Sequence, residues 1–219
     1  MLNIRRLLQG LVLSAPVIAT LLIPTAGTAA ANPIQPVGPI NLPPMPTLVA
    51  VVDQQLLTDP GFEGATPSGW IKTEGAFVTS NVHKCGSRSL SLGFLGNAFF
   101  FQDVAIPANA TSPNLSFYLR IDSNVASTSA VDTLDVLLKT APALPMTGTT
   151  LATLATYSNL DTTNSQFVRK GNFDLSSYKG QTLRVWFQGT FAQHAGQSTQ
   201  FFIDDTAVWT RQHLVLNFC

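Results

Sequence analysis

Charge is scarce in this chain. Only 11% of its 219 residues are Asp, Glu, Lys or Arg, the two signs cancel, and glutamate occurs just twice, at Glu63 and Glu74. The 12 Lys and Arg residues form no basic stripe, which argues against nucleic acid as a partner. Histidine is limited to His83, His194 and His213, and the chain has no G-x-S-x-G, H-E-x-x-H or Cys-x-x-Cys motif. These absences remove the usual signatures of a hydrolase. Several carboxylates, Asp59, Asp122, Asp132, Asp161 and Asp174, border turns, where Asp commonly binds backbone amides. A non-enzyme is expected, the alternative being a hydrolase whose two carboxylates meet only through the fold.

Cysteine is nearly absent too. Cys85 and the terminal Cys219 are an even pair, which in an oxidising compartment suggests a disulfide closing most of the chain into one loop. Such a loop would be worth on the order of 4–5 kcal/mol by closure entropy. Two free thiols, or an intermolecular bond through Cys219, are the other readings. No window of ten or more residues has a helical apolar period, so little or no helix is expected.

What is present begins with Arg5 and Arg6, an apolar run over 7–23 and small residues over 25–31, the order of a secretory signal peptide cleaved near Ala31. The run is interrupted by Pro16 and is short of the roughly 20 residues a membrane span requires. The segment 32–52 is rich in proline (Pro33, Pro36, Pro39, Pro43, Pro44, Pro46) and reads as an extended linker, with Leu48–Val52 able to form an edge strand. A domain over 53–210 and a tail over 211–219 follow. The mature chain keeps roughly 190 residues, enough for one hydrophobic core.

Within the domain the period is two. Leu115, Phe117, Leu119 and Ile121 alternate with Ser116, Tyr118, Arg120 and Asp122, and Leu183, Val185 and Phe187 alternate with Arg184, Trp186 and Gln188. Further strands are expected over 76–80, 87–93, 98–106, 132–139, 150–157, 167–173 and 199–209, separated by turn-rich segments. About ten strands with a neutral, polar exterior imply an all-β fold, a sandwich or barrel.

The strand TQFFIDDTAVW, Thr199–Trp209, sets Asp204 and Asp205 among Phe201, Phe202, Ile203, Ala207, Val208 and Trp209, residues suited to a packed sheet. Phe201 and Ile203 have odd parity and Val208 even parity, so the inward face must switch near the two acids, as a β-bulge would make it do.

Several segments in order, LLTDPGFEG, SGW, HKCGSRSLSLG, NLSFYLRID, DTLDVLLK, LATLATYSNLD, FDLSSYKGQTLRVWFQGT and TQFFIDDTAV, resemble the galactose-binding-like jelly rolls. These include carbohydrate-binding modules and the C-terminal domains of secreted bacterial sedolisin-type peptidases. The resemblance spans about Gln55–Val208 and implies a jelly-roll β-sandwich. It also implies a structural calcium where the first and last strands meet, carried onto Gly61, Glu63, Lys84, Ser87 and Asp204. Calcium takes six to eight oxygen ligands, which a turn, a loop and a strand end can supply together. Without a metal, Glu63 and Asp204 would instead bind loop amides or pair with Lys84 or Arg88. The family's His-Ser-Gly-Ser loop reads here as His83-Lys84-Cys85-Gly86-Ser87.

For ligand contact, Tyr118 and Trp186 have outward parity beside Arg120, Arg184 and Gln188, and the polar loop over 190–198 carries His194. Aromatic rings beside planar polar groups suit a sugar, which offers a C–H face and a rim of hydroxyls. Outward rings can equally lie beneath a loop. The expectation is a secreted, monomeric, non-catalytic module for extracellular or cell-wall carbohydrate. The alternative is a structural or protein-interaction protein of the cell envelope.

Overall fold

A computed structural model describes residues 48–93, 96–144 and 146–216, and the side chains of 52–93, 96–144 and 146–211. The signal peptide expected over 1–31, most of the linker and Cys219 lie outside the described residues. All the described residues belong to one unit that begins at residue 46.

Eleven strands form among the described residues: β1 Leu48–Gln55, β2 Ile71–Lys72, β3 Ala76–Thr79, β4 Ser89–Leu92, β5 Gly96–Ala105 and β6 Ala110–Ser123. They continue with β7 Thr133–Thr140, β8 Thr150–Ser158, β9 Val168–Asp174, β10 Thr182–Phe191 and β11 Thr199–Leu216, with a 3-10 turn at Ser176–Tyr178. One sheet runs β3-β4-β11-β6-β9 with β1 added along β11, and the other runs β2-β5-β10-β7-β8. From β4 onward consecutive strands alternate between the sheets except for the β7–β8 hairpin, so the order 4-11-6-9 faces 5-10-7-8. That is the strand order of a jelly roll. Every pairing between these strands is antiparallel.

The period-two residues make the core. Leu115, Phe117, Leu119 and Ile121 of β6 meet Leu183, Val185 and Phe187 of β10, all of them buried. Burying each such side chain contributes about 1.5–3 kcal/mol. Phe187 stacks on Phe100 at 4.7 Å and meets Phe117 edge-on at 5.1 Å, so the aromatic packing crosses from one sheet to the other. Phe62, from the turn after β1, closes one end against Trp70 at 5.1 Å.

Three boundaries differ from expectation. β2 is only two residues long, too short for a periodic signal, and pairs with Phe101 and Phe100 of β5. β1 is paired from Leu48, ahead of the expected domain start at Asp53, and β11 runs to Leu216, into the expected tail. These two extensions have one cause. β4 pairs with β11 only over Phe201–Ile203, and β1 takes up the freed edge from Trp209 to Leu216.

β11 carries the bulge. Asp204 faces Tyr118 and Ala207 faces Ser116, so two residues, Asp205 and Thr206, stand opposite Phe117 alone. Asp205 takes a positive φ of 45°, in the left-handed region that Asp tolerates better than most residues. The side chain of Gln55 repairs the broken ladder: its Nε2 donates to the Thr206 carbonyl, and its Oε1 accepts from the Val208 amide.

Candidate functional site

The five residues assigned to a cation do come together. The turn after β1 docks on the bulge through the Thr206 amide, which donates to the Pro60 carbonyl at 2.9 Å. A Cβ added at Gly61 would lie 3.8 Å from Asp204 Oδ1 and 3.8 Å from Glu63 Cγ, which places that turn between the two acids. The Glu63 carboxylate accepts from the Ser87 amide and hydroxyl and from the Arg88 amide. Gly86, at φ 67°, lets the backbone come this close, since a Cβ there would collide with Glu63 Oε1. Asp204 Oδ2 accepts from the Lys84 and Cys85 amides at 2.7 and 3.4 Å, and Oδ1 from the Asp205 amide at 2.7 Å.

The two carboxylates titrate differently. Burial of Asp204, fully out of solvent, pushes its pKa up to about 6 against the opposing pull of the Lys84 and Asp205 amides. For exposed Glu63, desolvation is the largest single effect and works against the charge, but the hydrogen bonds from Ser87 and Arg88 together outweigh it and hold the carboxyl below the usual range.

This chemistry does not suit calcium in the arrangement found. Calcium needs further acceptor oxygens, whereas the 84–88 loop turns N–H and O–H donors toward both acids. Among the described residues no three His, Cys, Asp or Glu side chains are grouped so as to hold a metal ion. The junction of first and last strands is a hydrogen-bonded latch. Cys85, beside it, is an exposed free thiol, raised in pKa by a hydrogen bond to Asp205 and by that carboxylate's charge.

The six residues expected to touch a ligand fall in three places. Tyr118 and Arg120 lie on the outer face of the β11-containing sheet, where the Lys84 ammonium stands 5.0 Å from the Tyr118 ring and Arg120 pairs with Asp122 at 2.6 Å. Arg184, Trp186 and Gln188 lie on the outer face of the opposite sheet. His194 lies at one end, its Nε2 3.2 Å from Oδ1 of buried Asp132, which also accepts the Ala192 amide.

Trp186 is not the open ring that its parity suggested. It is 3% exposed, stacked on Phe99 at 4.2 Å and Phe101 at 4.8 Å, with the Lys139 ammonium 3.8 Å from its centroid. Its Nε1 donates to Gln188 Oε1, which ties both residues down. Arg184 is buried as well: it pairs with Asp103 at 2.7 Å, covers Phe101 and donates to the carbonyls of Thr147 and Pro142. The physical reason is lateral cover from a neighbouring strand and from the segment after β7, which parity along one strand does not register.

The open tryptophan is Trp209, 44% exposed. It pairs with Asn114 of β6 on one side and Gln55 of β1 on the other. Two residues on, Arg211 stands between Thr111 and Asp53. Between these pairs β6 places two residues, Ser112 and Pro113, opposite the single Thr210, and Ser112 has a φ of 50°. This second irregularity accompanies a concavity of about 480 Å³ lined by Asp53, Thr111, Ser112, Asn114, Trp209 and Arg211. Arg211 Nε donates to Asp53 Oδ1 at 2.9 Å, which holds the carboxyl below its usual range. The sequence signal was available: once the bulge flips parity, Trp209 and Arg211 must both face outward.

No family model and no curated protein matches this chain. Solved structures similar to it include TmCBM61 in complex with β-1,4-galactotriose, 13% identical over 74% of this chain and 99% of that chain, with a TM-score of 0.47. Another is the CBM22-1 xylan-binding domain of Paenibacillus barcinonensis Xyn10C, 17% identical over 77% and 99%, with a TM-score of 0.45. A third is the non-crystalline cellulose specific carbohydrate-binding module CBM28, 13% identical over 71% and 94%, with a TM-score of 0.45. Residue roles do not carry across at such identities.

Proposed function

We propose that this protein is a secreted, non-catalytic carbohydrate-binding domain. The observation that carries the reading is Trp209: an indole left open on a sheet face, above a concavity, with amide, hydroxyl and charged groups around it. An exposed aromatic ring packs against the C–H face of a pyranose, and the polar rim meets its hydroxyls. Trp70 and Trp186 are both buried, so neither offers such a face. Export is supported by the basic, apolar and small-residue order over 5–31. The amide and hydroxyl donors of the 84–88 loop already meet Glu63 and Asp204, which supports a domain closed by hydrogen bonds rather than by calcium.

A glycan array probed with the purified mature protein, followed by affinity electrophoresis on soluble plant and microbial polysaccharides, tests this. Retardation by at least one polysaccharide is expected. Absence of binding to every glycan, with a folded protein, would refute it.

A further inference from the structure

We propose that the Trp209 concavity recognises a neutral pyranoside through a pair of adjacent hydroxyls, one directed to Asp53 and the other to Arg211, with the sugar ring lying on the indole. The proposal rests on the carbohydrate-binding reading and assigns the site and the ligand class. Three features carry it.

The first is placement. Trp209 and Arg211 are two residues apart on β11, past the bulge, so both project from the same face. Asp53 is brought beside Arg211 by β1, and Asn114 beside Trp209 by β6. Three strands therefore contribute one group each around a single ring.

The second is hydrogen-bonding capacity. The ion pair between Arg211 and Asp53 uses only Nε and Oδ1. Among the described residues no partner engages the two Nη atoms or Asp53 Oδ2, and both side chains are more than half exposed, at 57% and 62%. A guanidinium only donates, and an ionised carboxylate only accepts. Two neighbouring hydroxyls can accept from the one and donate to the other, each meeting its own partner, which an isolated carbonyl, having no hydrogen to donate, cannot do. Asn114 donates its Nδ2 to the Ser112 carbonyl, so its Oδ1 stays available as a further acceptor.

The third is charge and size. Arg211 and Asp53 cancel, and among the described residues no other ionisable side chain lines the hollow. A uronate or sulfated sugar would be drawn by Arg211 but repelled at close range by Asp53, so the pair favours an uncharged ring. At about 480 Å³ the hollow falls within the roughly 300–1,000 Å³ range of small-ligand sites.

The test is isothermal titration of the full mature protein with neutral cello-, xylo-, manno- and galacto-oligosaccharides and with oligogalacturonate, each at low and high salt. Trp209→Ala should weaken the best neutral ligand at least tenfold, and Asp53→Asn and Arg211→Met should do so separately, with melting temperatures held. Salt should have little effect on the neutral ligand. If the wild type binds none of these sugars, this proposal falls, and the carbohydrate reading falls with it only where the glycan array and the polysaccharides are blank as well. Binding that survives Trp209→Ala leaves the carbohydrate reading standing and overturns this site. Oligogalacturonate binding as tightly as the best neutral sugar, and weakening with salt, would overturn the neutral-ligand assignment alone.

Discussion

Asp204 has no solvent exposure and a pKa of about 6 against an ordinary 3.8, so ionising it costs the folded state. Because its folded value is raised, the stability it contributes is fully present below the unfolded value and is lost as the pH rises through about 6. For the whole rise the linkage is worth about 3 kcal/mol. Urea unfolding at pH 5 and pH 7 should therefore show the wild type gaining stability on acidification relative to Asp204→Asn, whose amide does not titrate over this range. Parallel pH profiles for the two proteins would contradict the assignment. The amides of Lys84, Cys85 and Asp205 explain why the acid is tolerated at all: three N–H groups meet its two oxygens, and a buried carboxylate without them would cost several kcal/mol more.

At the scale of elements, two tryptophans on outward parity have opposite fates. Trp186 on β10 is packed between Phe99, Phe101 and Lys139, while Trp209 on β11 is open. Trp186→Ala should cost about 3–5 kcal/mol, as for a core tryptophan, whereas Trp209→Ala should stay within about 0.5 kcal/mol. Chemical denaturation of both variants checks this, and similar losses would mean that one ring is misplaced. The strands themselves were legible in sequence because Leu115, Phe117, Leu119 and Ile121, like Leu183, Val185 and Phe187, keep one parity across a whole element. The parity switch at Asp204 was legible for the same reason. Lateral neighbours were not. Lys139 reaches Trp186 from the adjacent β7, and Asp53 reaches Arg211 from the far end of the chain, and periodicity within one strand encodes neither contact.

At the scale of the whole molecule, the latch decides whether the first and last strands are held by an ion or by hydrogen bonds. The sequence brought Gly61, Glu63, Lys84, Ser87 and Asp204 to one place because the order of segments matches a jelly roll. What that order does not specify is whether the loop offers its carbonyls or its amides, since one peptide rotation exchanges them. Here the amides face the acids, and Gly86, with its positive φ, permits it. A structural calcium at a hundred times its Kd would add about 2.7 kcal/mol, hence roughly 5–10 °C in Tm for a domain of this size. Thermal melts in millimolar calcium and in excess EDTA should instead coincide. A drop of several degrees in EDTA, restored by calcium, would show that the loop reverses its peptides to admit an ion and that the hydrogen-bonded latch is not the folded state in solution.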